Sequence, residues 1–397
     1  MLDADIAFQD VLADPLVELL AHPTHSVRVA AAWALRCFCQ SAPRRLAKAI
    51  LTVLESLQNN ISALTSSGAP LDVNKRAIGS AYGLAALFSV IPDKPLYVSY
   101  DLSAKVLDVA IQLLKRSGEH DLKIAAVEVE VAWTCISSLM CLGPNFVRAH
   151  LPQLMVLWRN ALPKPTSKDT TPHSGRTDQE WGFLLHLREC ALGAILCFLQ
   201  NNSTLITLDV SRRVSSLLNN ALLFANAWIA QTEDGRENGP TTQPDGVPLA
   251  TREAMLRRRI YQCYSAVGFS SLTFSATEQL LQSAVTLFAS ADSYLGSAMQ
   301  AAIATSAGSF TSIWLSADGY GFGVSQLACA HAATTADGMA TDAGERFNRD
   351  TIEASIDNLV CYGGVLRLHF LTSAVDQHTR SWISGARHFP PVATARV

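Results

Sequence analysis

Charge is scarce in this sequence. Only 16% of its 397 residues are Asp, Glu, Lys or Arg, against 49% hydrophobic. The two signs nearly cancel, at a formal net charge of −3, so no global basic field speaks for a nucleic-acid partner. Long apolar runs are missing as well: no stretch of about 18 apolar residues proposes a membrane span. The start, Met1-Leu2-Asp3-Ala4-Asp5, has neither the basic nor the apolar region of a signal peptide. The expectation is a soluble cytoplasmic protein without a transmembrane segment, whose nine cysteines stay reduced and act mostly as small hydrophobes on helix faces.

Signatures of chemistry are missing too. There is no G-x-S-x-G, no H-E-x-x-H and no carboxylate pair that stands out from solvated helix faces. The segment Gly319-Tyr320-Gly321-Phe322-Gly323 has no buried strand before it, no helix start after it and no Lys-Ser/Thr, so it reads as flexible chain and not as a phosphate loop. His22 with His25 and Cys37 with Cys39 have the right chemistry for a metal. Residues two apart on a helix point to opposite sides, however, and no second ligand pair has matching spacing. Neither an enzyme, a cofactor nor a metal centre is expected.

What the sequence has in quantity is helical periodicity. In the stretch His22–Cys39, Val27, Ala30, Ala31, Ala34, Leu35 and Phe38 fall on one helical face. Pro23 ends the helix before it, and Thr24 or Ser26 is placed to cap it. Alanines along a contact line let a neighbouring backbone come close, as stacked helical repeats require. Similar helices are predicted at Val73–Ile91, with Gly79, Ala81, Gly83, Ala85 and Ala86, and at Asp121–Leu142, with Ala125, Ala126, Ala132 and Trp133. Partner helices are predicted at Ile6–Ala21, where Pro15 kinks or restarts the chain, and at Pro43–Gln58, Leu102–Lys115 and Phe146–Leu162. Polar segments at Asn59–Leu71 and Pro163–Asp178 read as turn and loop, and helices are again expected at Gln179–Leu199, Leu205–Ala230, Ala250–Ser270 and Ala276–Ser290.

The helices rich in small residues begin near 26, 73, 121, 179 and 250, an interval of about 46–49 residues stretched later by loops. The fold class expected is all-α: an α-solenoid of HEAT/armadillo-like repeats over 1–230, a flexible loop insertion at 231–249 and a further helical repeat at 250–290. Residues 291–397 read as a weakly structured or partly helical C-terminal region, with a short helix at Phe347–Leu359 and an irregular tail.

Several residues admit a bland and a sharp reading. Arg28 could bind an acidic partner, but at a helix start it is expected to tie neighbouring turns together. Trp33 and Trp133, set among alanines, are expected in the core. Arg212, Arg213, Arg252, Arg257, Arg258 and Arg259 could form a basic patch for an acidic peptide or lipid headgroups if their helices adjoin; otherwise they are a solvated helix face.

Two stretches go beyond a generic repeat: Ser26-Val-Arg-Val-Ala-Ala-Ala-Trp-Ala-Leu-Arg-Cys37 and, more telling, Leu142-Gly-Pro-Asn-Phe-Val-Arg-Ala-His-Leu-Pro-Gln-Leu-Met-Val-Leu-Trp-Arg-Asn160. On these the chain resembles the very large HEAT-repeat proteins that accompany the clathrin adaptor complex at the trans-Golgi network and endosomes. In animals that family includes the large subunit of the aftiphilin–gamma-synergin complex, and in fungi a large adaptor accessory protein. The resemblance covers about residues 10–290; members are several times longer, so the chain is expected to be one piece of such a protein, and residues after about 345 match nothing in it. It implies a non-enzymatic scaffold in vesicle trafficking, with clathrin adaptor subunits or their accessory proteins as partners and peripheral attachment to coated membranes through them. The alternative is a nuclear transport receptor or another cargo-binding HEAT protein. That reading wants recurring acids on one surface; Glu128 and Glu130 stand out on one helix, but no comparable acidic row recurs.

Overall fold

The computed structural model describes residues 6–66, 68–170, 176–233 and 249–267, and among these it is all-helical with no strand. The helices are α1 Ile6–Glu18, α2 His25–Ser41, α3 Leu46–Leu64, α4 Val73–Phe88, α5 Tyr100–Arg116, α6 Leu122–Met140, α7 Pro144–Ala161, α8 Ser167–Thr170, α9 Asp178–Asn201, α10 Leu208–Glu233 and α11 Leu249–Val267. The expectations for 276–290, 291–397, Gly319–Gly323 and Phe347–Leu359 lie outside the described residues, as does most of 231–249.

The helices with small residues pack on one another in chain order: α2 on α4, α4 on α6, α6 on α9 and α9 on α11. The partner helices lie against this succession, α3 on α4, α5 on α6, α7 on α9 and α10 on α11. The close approach has a visible cause in α4. A Cβ placed on Gly79 would sit 1.8 Å from the carbonyl oxygen of Leu20, in the 3-10 turn Leu19–Ala21 that follows α1, and one on Gly83 would sit 2.4 Å from the Leu20 side chain. Only hydrogen fits there, so the glycines that weaken α4 by propensity are what let the turn lie on it.

Helix ends follow the local chemistry. Asp121 caps α6 by accepting from the backbone N–H of Lys123 and Ile124 at 2.9 and 3.0 Å. Thr177 and Glu180 form a reciprocal capping box at the start of α9. Between α6 and α7, Gly143 takes φ 84°, a left-handed conformation that favours glycine, and Pro144 starts α7 where its missing N–H costs nothing.

The structure departs from the sequence-based expectation in the first three helices. Of the two readings of Pro15, a kink or the start of a shorter helix, the second does not hold, since Pro15 lies inside α1. Helix α3 runs to Leu64, because Ile61 and Leu64 extend the stripe of Val53, Leu54 and Leu57 into the core. Thr24 is the N-cap of α2 but its side chain makes no capping bond; its N–H instead donates to Nδ1 of His22 at 3.1 Å. The buried face of α2 is Val29, Ala31, Ala32, Leu35, Phe38 and Cys39, while Ala30 is exposed and Ala34 half-buried. This face is rotated from the one that apolar spacing predicts, and it takes in the buried Arg28.

Of the tryptophans, Trp133, Trp158 and Trp181 are fully buried, with Trp158 tilted against Phe198 at 5.5 Å and Trp181 against Phe224 at 5.1 Å. Trp33 is only half-buried, under the guanidinium of Arg36 at 4.9 Å. By length and composition α9 is apolar enough to cross a bilayer, but 67% of that stretch is buried against other helices, as in a core helix.

Among the described residues, none of the seven cysteines is joined to another in a disulfide. Burial pushes the thiols of Cys39 and Cys135 up to about 12, whereas Cys37 is exposed. Since the thiolate is the nucleophile, iodoacetamide in mildly alkaline buffer is expected to modify Cys37 on the folded protein and to reach Cys39 and Cys135 only after denaturant is added. Peptide mass spectrometry reads this out, and equal rates at Cys37 and Cys39 would mean that the inner face of α2 is not packed as described.

Candidate functional site

A file of polar side chains runs through the interior where the successive helices meet. On α2, Arg28 is 4% exposed and donates through one terminal nitrogen to the carbonyls of His22 and Pro23 at 2.8 and 2.9 Å. It ties α2 to the turn before it, as the sequence suggests. Burial pulls its pKa below the ordinary arginine value, while Tyr82 and Glu130 pull the other way. On α4, Tyr82 is fully buried and its hydroxyl donates to Oε1 of Glu130 on α6 at 2.8 Å. The other oxygen of Glu130 lies 3.5 Å from Nε2 of His186 on α9.

One turn further along α9, the Cys190 sulfur sits 3.8 Å from either ring nitrogen of His186 and 3.9 Å from Oε2 of Glu189. Oε1 of Glu189 accepts from Nε of Arg259 on α11 at 3.0 Å. The two side chains are 3% and 4% exposed, so the ion pair is shut away from solvent. A second buried pair lies on α11 itself: Arg257 bridges Glu253 at 2.6 Å and also donates to Asn226 of α10 at 3.1 Å. On the far side of α9, Arg188 is buried with its guanidinium carbon 3.6 Å over the ring of Phe224. Desolvation lowers its pKa to about 10, partly offset by Asp169, so it stays charged at neutral pH.

For three of the six arginines this geometry fits neither reading from the sequence, the exposed basic patch or the solvated helix face. Arg252, Arg257 and Arg259 are buried, at 7, 1 and 3% exposure, and the last two are neutralised by Glu253 and Glu189. Only Arg212 and Arg213 on α10 are exposed, and Arg213 pairs with Asp209 one turn away at 2.9 Å; the side chain of Arg258 lies outside the described residues. The six do not make one exposed cluster, because charged groups are held inside the packing only when a partner meets them, and the partner of Arg259 comes from 70 residues earlier in the chain.

Glu128 and Glu130, the acids that a cargo carrier would present, are likewise turned inward. Glu128 is 1% exposed and meets Nδ1 of His120 at 2.8 Å, and Glu130 is shared by Tyr82 and His186. Of the residues weighed for a metal in the sequence, His22 accepts from a backbone N–H, and Cys37 and Cys39 face solvent and core respectively, while the side chain of His25 lies outside the described residues. The group that does converge, His186, Glu189 and Cys190, is not among those candidates. Its signal is present in the sequence, three ligand types at i, i+3 and i+4 on one helix, but Glu130 and Arg259 join it only in three dimensions.

No family model matches the chain, and no solved structure matches it.

Proposed function

We propose that this chain is a non-enzymatic α-solenoid scaffold in vesicle trafficking, which helps clathrin adaptor and accessory proteins assemble at trans-Golgi and endosomal membranes. The observation that carries the reading is the succession α2, α4, α6, α9 and α11, each helix packed on the next, which is the local geometry from which repeat proteins build long binding surfaces. The two stretches that carry the family resemblance fit such a role. Residues 26–37 lie in α2 at the start of the succession. In 142–160, Phe146, Val147, Leu154 and Trp158 hold α7 in place, while Arg148, Gln153, Arg159 and Asn160 are exposed along it. Those side chains offer exposed donors to an extended or helical segment of a partner, a contact whose affinity comes from many modest interactions.

Proximity labelling in cells, with the chain tagged and the products identified by mass spectrometry, tests this. Enrichment of clathrin adaptor subunits and their accessory proteins is the expected result. Enrichment of nuclear-pore and Ran-pathway proteins in their place would move the chain to the cargo-carrier class, and enrichment of neither would remove the trafficking assignment.

A further inference from the structure

The cluster around His186 has more order than helix packing requires. Two carboxylates reach it, from different helices, and each has one oxygen held from outside: Oε1 of Glu130 by the Tyr82 hydroxyl at 2.8 Å, and Oε1 of Glu189 by Arg259 Nε at 3.0 Å. The second oxygen of each meets a different member of the cluster. Oε2 of Glu130 lies 3.5 Å from Nε2 of His186, and Oε2 of Glu189 lies 3.9 Å from Sγ of Cys190, which is itself 3.8 Å from the His186 ring nitrogens. The donor atoms of His186, Glu189 and Cys190 all fall within 4.8 Å of one another.

Those separations can be set against coordination geometry. With metal–nitrogen and metal–oxygen bonds of about 2.0–2.2 Å and a metal–sulfur bond of about 2.3 Å, neighbouring donors of a tetrahedral site lie roughly 3.3–3.7 Å apart. The pairs quoted are within a few tenths of an ångström of that range, and no pair among His186, Glu189 and Cys190 exceeds 4.8 Å, so side-chain movements of about an ångström would close them round an ion. Nitrogen, sulfur and carboxylate oxygen together suit a borderline ion such as Zn²⁺, whereas Mg²⁺ and Ca²⁺ prefer all-oxygen shells. Outside partners that fix a ligating carboxylate, as Tyr82 and Arg259 do here, are what metal sites ordinarily have in support. The two carboxylates are offset by Arg259, and by Arg28 through its attraction to Glu130, so the negative charge that a bound ion meets beyond this balance is that of the Cys190 thiolate.

We propose that His186, Glu189 and Cys190, closed by Glu130, form a Zn²⁺-type site that clamps α9 to α6. On binding, the Cys190 thiol gives up its proton to solvent and a sulfur–metal bond forms. The ion would be structural: it would join two helices of the succession at their interface, and through Arg259 bring α11 into register with them.

The test uses the full chain, stripped with a chelator and titrated with Co²⁺ and then Zn²⁺, no other ligand being needed. The expected result is a single equivalent of Co²⁺ giving a thiolate-to-cobalt charge-transfer band, displaced by Zn²⁺, together with a rise in melting temperature. Cys190→Ser should abolish the band and His186→Gln should weaken binding at least about tenfold, while Cys37→Ser should leave both unchanged. Melting of the metal-free variants checks that they fold; if Cys190→Ser does not, the His186→Gln titration carries the decision. Absence of a thiolate band in the parent chain, or its survival in the folded Cys190→Ser or undiminished in His186→Gln, would overturn the site.

Discussion

Gly79→Ala is expected to lower the melting temperature of this protein, although the substitution favours helix. In the interior of α4, alanine is better than glycine by about 1 kcal/mol on propensity alone. Against that stands a Cβ 1.8 Å from the Leu20 carbonyl oxygen and 2.7 Å from the Arg28 side chain. The first of these is backbone, in a turn whose neighbouring carbonyls, His22 and Pro23, are already held by Arg28 at 2.8 and 2.9 Å. It has little room to retreat, so the overpacking cost belongs at the upper end of its usual range of about 1–3 kcal/mol. After the propensity gain a net loss of about 2 kcal/mol remains, or roughly 4–8 °C in a cooperative unit of this size. The control is Gly118→Ala, where nothing lies within 4 Å of the new methyl group and stability should hold within about 0.5 kcal/mol. If Gly79→Ala melted at or above the parent temperature, the seating of the first turn on α4 would be wrong.

The second large effect is expected at the pair Glu189–Arg259. Both side chains are almost wholly shielded, so Glu189→Gln leaves a guanidinium in the interior without its countercharge. Removing one member of such a pair costs about 3–5 kcal/mol, whereas replacing both by apolar groups of similar size is often neutral or better. Urea unfolding in the presence of chelator, which keeps metal out of the adjoining cluster, should show Glu189→Gln strongly destabilised and the double variant Glu189→Leu/Arg259→Met recovering most of the loss. A cost below about 1 kcal/mol for Glu189→Gln is what a solvent-screened surface pair would give, and it would return Arg259 to an exposed basic patch.

Several features are legible in the amino-acid sequence alone. The positions of α2, α4, α6, α9 and α11 follow from apolar spacing, because a 3.6-residue period is a local property that a buried helix must satisfy wherever it packs. The glycines and alanines of α4 announce a close neighbour, since they are poor choices for a helix that stands alone. Less is visible at the ends. The run of α3 to Leu64 and the four-residue α8 within 163–178 depend on tertiary contacts that outweigh the polar composition of those stretches.

The sequence by itself determined that this is a helical protein, where its helices fall and which of them carry the small residues that permit close packing. Those are consequences of nearest-neighbour chemistry along the chain. Only the tertiary structure decided the fate of the polar residues. Arg259 looks like surface charge in a run of three arginines, and Glu130 looks like an acidic face, until Glu189, Tyr82 and His186 are brought to them from other helices. A charge can be buried wherever a countercharge and donors meet it and is expelled wherever they do not. That choice depends on groups tens of residues away, and no period in the sequence records it.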